Sequence, residues 1–195
     1  VQGSVSSQFL TALLMAAPLA TQQTGKDFVI EVEGDLISKP YIAITLDMMK
    51  RFGVEVNACA DWQRFVVSKD VFYVSPDSLH VEGDASSASY FLALGAIGSG
   101  PICIKGVGSE SVQGDVQFAE VIKAMGANVS FSPYEMQVTG VNVAAGSALR
   151  AFDLDFNLIP DAAMTAAALA IYADGPCTLR NIASWRVKET DRIDA

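Results

Sequence analysis

The sequence predicts an α/β fold built from repeated βαβαββ units, and an internal repeat is the main observation behind it. A helix start rich in small residues at Gly3 recurs at Gly83, and a looser copy begins at Pro160. The second halves of the units also agree, because residues 50–56 and 123–129 share the pattern Lys-x-x-Gly-x-x-Val. Repeats of this length indicate copies of one supersecondary unit. We therefore expect two complete copies and one truncated copy.

Each full unit reads as helix, strand, helix, strand, strand, with a short strand before the first helix. Gly53 and Gly126 close the second helices, because glycine best adopts the left-handed conformation that follows a helix. The third copy is expected to stop at Ala195, inside its second helix. The predicted strands are 28–32, 63–67, 101–105, 136–141, 153–156 and 177–180, and the predicted second helices are 40–52 and 113–125.

Parallel crossover connections imply a sheet with helices packed on it. The first helix of each unit carries almost no charge and is predicted to be buried on most sides, whereas the second helices are amphipathic and should lie outside. The second unit opens near His80 to Gly83. The predicted division is therefore 1–81 and 82–195.

The composition, 51% hydrophobic and 18% charged, is that of a packed globular protein. A formal net charge of −9 argues against nucleic-acid binding, because phosphate backbones require a basic surface. Small anionic ligands remain possible, since a local basic cluster acts at short range. The basic residues near the C-terminus therefore matter more than the total charge.

Cys59, Cys103 and Cys177 form no CxxC pair, and His80 is the only histidine, so no metal site and no cofactor is expected. Three buried free thiols in a reducing, cytoplasmic compartment are predicted. The apolar run 9–20 is about half of the roughly 20 residues that span a bilayer, and no basic segment precedes it. We expect no membrane segment and interpret the chain as a fragment.

Ser6, Ser7 and Gln8 open a helix, where hydroxyls, an amide and unpaired backbone N–H groups form a natural anion site. Simple capping by serine is the alternative, and the serine pair at 86–87 occupies the same place in the second unit. Gln8 favours the functional interpretation, because its counterpart is Ala88.

Three further segments could carry chemistry. Asp161 follows Pro160 at a helix start, where it is either a cap or a general base. Ser38 and Tyr41 lie at another helix start, where their side chains could reach a ligand, although a capped helix start is the commoner explanation. Lys188 and Arg192 would share a helix face and bind an anion, or else form local ion pairs, Lys188 with Asp191 and Arg192 with Glu189.

Taken together, five segments in this order resemble the 5-enolpyruvylshikimate-3-phosphate (EPSP) synthase family across essentially the whole chain. The segments are Gly-Ser-Val-Ser-Ser-Gln-Phe at 3–9, Ser-Lys-Pro-Tyr at 38–41, Glu-Gly-Asp-Ala-Ser-Ser-Ala at 82–88, Ile-Pro-Asp-Ala-Ala-Met at 159–164 and Val-Lys-Glu-Thr-Asp-Arg at 187–192. The resemblance implies an enolpyruvyl transferase fold of two lobes, an inside-out α/β barrel of which this chain holds an incomplete part. Residues 1–81 would be the last unit of one lobe, and 82–195 the first and truncated second units of the other.

The same resemblance implies transfer of the enolpyruvyl group of phosphoenolpyruvate to the 5-hydroxyl of shikimate 3-phosphate, in the shikimate pathway of aromatic amino-acid biosynthesis. The implied ligands of shikimate 3-phosphate are Ser6, Ser7, Gln8, Ser38 and Tyr41, together with Ser184 where the family commonly has asparagine. Asp161 would be the base for the attacking hydroxyl and Glu189 would handle the methylene proton. Lys188 would contact substrate and Arg192 would bind phosphoenolpyruvate.

Two alternatives to this interpretation exist. The chain could be a non-catalytic folded module that binds shikimate 3-phosphate weakly, because the family's other cationic residues lie outside it. The isolated chain is then expected to be inactive, and to self-associate or to pair with a complementary fragment. The related enolpyruvyl transferase that acts on UDP-N-acetylglucosamine lacks the Ser-Ser-Gln and Lys-Glu-Thr-Asp-Arg patterns, so it fits less well.

Overall fold

Residues 1–187 and 190–195 are described by a computed structural model, in which the chain divides into two units, Val1–His80 and Val81–Ala195. Each unit has a hydrophobic core of its own. The core of the first unit is centred on Leu10, Leu14 and Phe65, none of which is exposed to solvent. That of the second unit includes Phe118 and Phe156, which are equally inaccessible.

The first unit contains a three-stranded sheet in the order β1-β3-β2. Both β1 and β2 pair antiparallel with β3, so β1 and β2 run in the same direction. Helix α2 connects them as a crossover, and α1 precedes them in the chain. The elements are α1 Ser7–Thr24, β1 Phe28–Glu31, α2 Lys39–Arg51, β2 Val56–Ala58 and β3 Arg64–Val67.

The second unit contains a sheet in the order β4-β6-β5 and a separate parallel pair, β7-β8. A 3-10 helix, Gly114–Gln117, leads into α4. A second 3-10 helix, Ala183–Val187, follows β8. The main elements are α3 Ala85–Ile97, β4 Ile102–Lys105, α4 Phe118–Ala124, β5 Asn128–Ser132, β6 Glu135–Thr139, β7 Asp153–Asp155, α5 Ala162–Leu169 and β8 Thr178–Arg180.

The parallel crossovers expected from the sequence occur; β7 and β8, which α5 connects, pair directly, but the strands that α2 and α4 connect are not neighbours. In each three-stranded sheet the last strand of the hairpin lies between them, so every pairing in these two sheets is antiparallel. The predicted glycine closures are confirmed, because Gly53 and Gly126 have φ values of 82° and 102°. Only glycine adopts this region without steric cost.

The first helices are less buried than their composition predicts. Helix α1 buries a single stripe that includes Leu10, Leu14 and Ala17, while Phe9 is 59% exposed. On α3, Tyr90 is 63% exposed and Phe91 56%. Neither helix carries a charged residue, but the elements packed against each one cover only part of its surface. The expectation of burial on most sides is therefore wrong for α1 and α3, whereas it is confirmed for α5, the first helix of the third copy, in which five of eight residues are buried.

The three cysteines are free, but they are not buried as predicted. Cys103 is exposed, and Cys59 and Cys177 are partly exposed. Cys103 lies on β4, where exposure alternates along the strand, and its side chain falls on the outer face. The Cys59 sulfur accepts a hydrogen bond from the backbone N–H of Arg64 at 2.9 Å. Within the part of the chain that the structure describes, no helix is long and apolar enough to cross a lipid bilayer.

Candidate active site

The start of α1 is capped by Ser6, whose hydroxyl accepts a hydrogen bond from the backbone N–H of Gln8 at 3.2 Å. Ser6 therefore satisfies one of the N–H groups left unpaired at a helix start. Gln8 is exposed, and Ser7 is buried with 8% of its surface accessible. Capping therefore explains the Ser6 hydroxyl. Gln8 takes part in this cap through its backbone N–H and not through its side-chain amide.

Ser38 does not cap α2, although the sequence favoured that interpretation. Its side chain forms no capping hydrogen bond, and its backbone adopts φ 56° and ψ 38°, the left-handed region. A residue with a Cβ atom adopts this conformation at a cost, and such positions cluster at functional sites. The Ser38 carbonyl accepts from the Tyr41 backbone N–H at 3.1 Å and fixes the first turn.

Backbone hydrogen bonds bring these two helix starts together. The Gly3 N–H donates to the Glu33 carbonyl at 2.8 Å, and the Ile37 N–H donates to the Gly3 carbonyl at 3.2 Å. A Cβ atom on Gly3 would lie 2.7 Å from a Val32 methyl group, so this close approach requires glycine. Ser6 to Gln8 and Ser38 to Tyr41 therefore lie at the same end of the first unit.

Further along, the same two helices are joined by their threonines. The Thr11 and Thr45 hydroxyls are 3.0 Å apart, and Thr45 also donates to the Tyr41 carbonyl at 3.1 Å. The two helices thus run side by side from neighbouring starts. Their unpaired N–H groups point toward the same region, which favours an anionic ligand there.

In the second unit, Asp161 occupies the N-cap position of α5 but makes no capping hydrogen bond. Its carboxylate instead accepts a hydrogen bond from the Arg192 guanidinium at 2.7 Å, with side-chain exposures of 28% and 17% for Asp161 and Arg192. The capping interpretation of Asp161 is therefore wrong. A carboxylate and a cation that the sequence singled out separately form a partly buried ion pair.

Trp185 anchors the 3-10 helix Ala183–Val187 to the start of α5. Its indole N–H donates to the Pro160 carbonyl at 2.7 Å, and its own carbonyl accepts from the Arg192 backbone N–H at 3.0 Å. Both contacts flank the Asp161–Arg192 pair. Ser184, next to Trp185 and partly exposed, is held in the same neighbourhood.

The expected helix from Arg186 to Arg192 does not form in the described residues, because 190–195 adopts bends and turns. Arg186 contacts Asp191 at 2.8 Å and Asp194 at 3.3 Å, whereas the predicted pairs of Lys188 with Asp191 and of Glu189 with Arg192 each involve a residue outside the described part of the chain. The turn allows Arg192 to reach back across the fold to α5. Lys188 and Glu189, both predicted site residues, lie outside the described residues.

Two features of this site could not be found from the sequence. Asp161 and Arg192 are 31 positions apart, so no local spacing relates them. Asp115 was also missed: it lies 6% exposed in the 3-10 helix Gly114–Gln117 and accepts a hydrogen bond from the Ser86 hydroxyl. Its predicted helix, 113–125, also carries Gln117, Glu120 and Lys123, so nothing in the sequence distinguishes this acidic residue from those on the exposed face.

Comparison with known proteins gives a consistent family. The model of EPSP synthase (3-phosphoshikimate 1-carboxyvinyltransferase) matches residues 1–195. The chain is 63% identical to the 3-phosphoshikimate 1-carboxyvinyltransferase of Bordetella pertussis over 195 residues, which is all of this chain and 44% of that protein. It is 60% identical to that of Burkholderia vietnamiensis, again over 44% of the relative. The chain thus spans less than half the length of the curated relatives it matches.

Solved structures agree on the fold. The EPSP synthase of Acinetobacter baumannii superposes with a TM-score of 0.71 at 19% identity, covering 100% of this chain and 42% of that one. The enolpyruvyl transferase NikO of Streptomyces tendae gives 0.59 at 19% identity, covering 87% of this chain and 38% of that one. Both likenesses show a mixed α/β fold shared with these proteins.

Proposed function

Since this chain belongs to the EPSP synthase family, we propose that it forms part of an enzyme that transfers the enolpyruvyl group of phosphoenolpyruvate to the 5-hydroxyl of shikimate 3-phosphate and releases phosphate. The observation that carries the proposal is the Asp161–Arg192 pair. A carboxylate that is not used as a helix cap lies 2.7 Å from a guanidinium, and the pair is partly buried in the second unit. A base and an anion-binding group are thereby available at one point.

In the second unit, Asp161 would accept the proton of the attacking 5-hydroxyl. The adjacent Arg192 charge favours the ionised carboxylate, so Asp161 is ready to accept a proton but is a weak base while paired. Arg192 would turn to the phosphate or carboxylate of phosphoenolpyruvate, whose anionic oxygens suit a guanidinium. Glu189 would handle the methylene proton, and Lys188 and Ser184 would contact substrate.

In the first unit, Ser6, Ser7, Gln8, Ser38 and Tyr41 would bind shikimate 3-phosphate. Support comes from the two neighbouring helix starts, from the left-handed Ser38 and from the exposed Gln8 amide. Helix N-termini attract phosphate through unpaired N–H groups and the helix dipole. A doubly charged phosphate is the ligand that would gain most from two such helix starts.

We further infer that residues 1–81 are the last βαβαββ unit of one lobe, and that 82–195 hold the first unit and a truncated second unit of the other. Supporting this, the order helix, strand, helix, strand, strand occurs in 7–67 and again in 85–139. Both sheets also place the last strand in the middle. We propose on this basis that the chain is part of an inside-out barrel in a biosynthetic enzyme of the cytoplasm.

The non-catalytic module is the second candidate, and the length of the chain favours it, because 195 residues correspond to 44% of the Bordetella pertussis relative. We expect no phosphate release by the isolated chain. Its exposed apolar helix faces favour self-association or pairing with a complementary fragment. These faces include Phe9, Leu13 and Leu19 on α1 and Tyr90, Phe91 and Leu94 on α3.

A chimera tests the proposed activity. These 195 residues replace the matching segment of the Bordetella pertussis protein, which is 63% identical to them. We expect the chimera to release phosphate from phosphoenolpyruvate only when shikimate 3-phosphate is present. UDP-N-acetylglucosamine in place of shikimate 3-phosphate should give none. A folded chimera that is inactive with shikimate 3-phosphate, or active with the nucleotide sugar, would contradict the proposal.

A further inference from the structure

A buried pair of hydroxyl groups joins helix α3 to helix α5. The Ser89 and Thr165 hydroxyl oxygens lie 2.8 Å apart, although the two residues are 76 positions apart in the chain. Ser89 is 0% exposed and Thr165 is 6% exposed. The Ser89 hydroxyl donates its proton to the Ser86 carbonyl at 2.6 Å. Because a hydroxyl has a single proton, Thr165 is the donor and Ser89 the acceptor within the pair.

The surfaces around this pair are small and apolar. Helices α3 and α5 pack on each other, and the buried residues of α5 other than Thr165 are three alanines and Leu169. Alanine side chains form shallow ridges, so helices that meet through them resist sliding and rotation only weakly. A hydrogen bond has a preferred distance and angle. The Ser89–Thr165 bond therefore fixes the register of α5 on α3.

This register matters because α5 begins at the proposed base. Asp161 is the N-cap residue of α5, and its backbone angles, φ −77° and ψ −43°, continue the helix. Thr165 follows four positions later, so the two residues lie about one turn, or roughly 6 Å, apart along one face. The Asp161 side chain makes no capping bond that would hold the helix start. The position of its carboxylate therefore depends on the tertiary contacts of α5.

A second contact holds the segment that leads into this helix. The Trp185 indole N–H donates to the Pro160 carbonyl at 2.7 Å, and Trp185 is 6% exposed. Pro160 directly precedes Asp161, so tertiary hydrogen bonds hold the chain on both sides of the carboxylate. An eight-residue helix is too short to be stable by itself, which leaves its placement to such contacts.

We propose that Ser89 and Thr165 are positioning residues for Asp161: their hydrogen bond sets the register of α5 on α3 and so places the carboxylate that accepts the hydroxyl proton. Both hydroxyls are buried, so neither contacts substrate, and neither takes part in the proton transfer. The consequence for catalysis rests on the proposed function, whereas the register of α5 does not.

The first test measures kcat and KM of the chimera with Thr165→Val. Valine has nearly the shape of threonine, and Ser89 keeps its bond to the Ser86 carbonyl, so no buried donor loses its acceptor. We expect kcat to fall about 10–100-fold, since a small displacement of a catalytic group is costly. The KM for shikimate 3-phosphate should stay within about twofold, because its proposed ligands in the first unit are unchanged. Thr165→Ser restores the hydroxyl and should recover most of kcat.

The matched control is Thr21→Val. Thr21 is also 0% exposed, but its hydroxyl donates to the Pro18 carbonyl within α1, at 2.9 Å. This variant should keep full kcat. Equal kcat values for Thr165→Val and Thr21→Val, or a Thr165→Ser variant as slow as Thr165→Val, would overturn the proposal. If Thr165→Val does not fold, Ser89→Ala removes the same bond with the residue that helices favour most, and the same loss of kcat is expected.

The second test needs no substrate and uses the 195-residue chain itself. The chain has two tryptophans, so the NMR signals of their indole N–H groups are readily told apart. Trp185 reports the start of α5 through its bond to Pro160, and Trp62, in the first unit, is an internal reference. We expect the Trp185 signal to move in Thr165→Val and the Trp62 signal to stay.

Thr165→Ser and Thr21→Val should leave the Trp185 signal in place. An unmoved Trp185 signal in a folded Thr165→Val chain would overturn the proposal, whatever the activity of the chimera. An unmodified chimera that is inactive would count against the proposed function alone, because the indole signals decide the register of α5 by themselves.

Discussion

Replacing Asp161 by asparagine in the chimera is expected to lower the rate of phosphate release by roughly 10²–10⁴, the usual contribution of a general base. Asparagine keeps the size of the side chain and can still accept a hydrogen bond from Arg192, but it cannot accept the hydroxyl proton. Because Asp161 makes no capping hydrogen bond, the helix start loses little. The measurement is the initial rate at saturating concentrations of both substrates.

The matched control for this variant is Asp194→Asn. Asp194 lies two positions after Arg192, and its side chain is 74% exposed. Among the ion pairs of the described residues, it takes part only in the one with the exposed Arg186, at 3.3 Å. Surface ion pairs of this kind contribute little. The control is expected to retain nearly full activity, whereas equal rates for the two variants would show that Asp161 is not the base.

Replacing Gly140 by alanine is expected to destabilise the second unit by about 3 kcal/mol or more, as severe overpacking does. A Cβ atom at Gly140 would lie 1.9 Å from the carbonyl oxygen of Ala96 and 2.4 Å from its Cα. These are backbone atoms of Ala96, a fully buried residue in the last turn of α3, so no side-chain rotation relieves the clash. Helix α3 would have to move away from β6.

Urea unfolding followed by Trp185 fluorescence measures this effect, in a Trp62→Phe background so that the signal reports the second unit alone. Gly100→Ala is the matched control, because a Cβ atom there meets nothing within 4 Å. The control should be neutral or slightly stabilising, since alanine restricts the unfolded chain. A Gly140→Ala chain as stable as the control would show that α3 and β6 do not pack this closely.

Local signals in the sequence predicted most of the elements. The Lys-x-x-Gly-x-x-Val pattern located the ends of α2 and α4, because a left-handed residue after a helix favours glycine so strongly. The start of α1 was predicted from Ser6 for a similar reason, since serine readily accepts a backbone N–H. Strand positions were predicted within one or two residues by turn residues and apolar runs.

Features that depend on tertiary contacts were not predicted. The Asp161–Arg192 pair depends on a turn at 190–195 that the charge pattern Lys-Glu-Thr-Asp-Arg had suggested would be helical. The exposure of Phe9 and Tyr90 depends on how many elements surround a helix, which its own composition does not encode. Asp115 is buried by residues distant in the chain, among them Ser86, so the burial of this acidic residue has no sequence signature.

The most direct test of the central claim, that these residues bind the substrate of an EPSP synthase, is calorimetric titration of the 195-residue chain with shikimate 3-phosphate. We expect saturable, weak binding that becomes about 10–100-fold weaker in Gln8→Ala, the effect of losing a hydrogen bond to a charged group. Gln22→Ala, an exposed glutamine near the other end of α1, should bind like the unmodified chain. No detectable binding at millimolar ligand, or binding that Gln8→Ala leaves unchanged, would contradict the account.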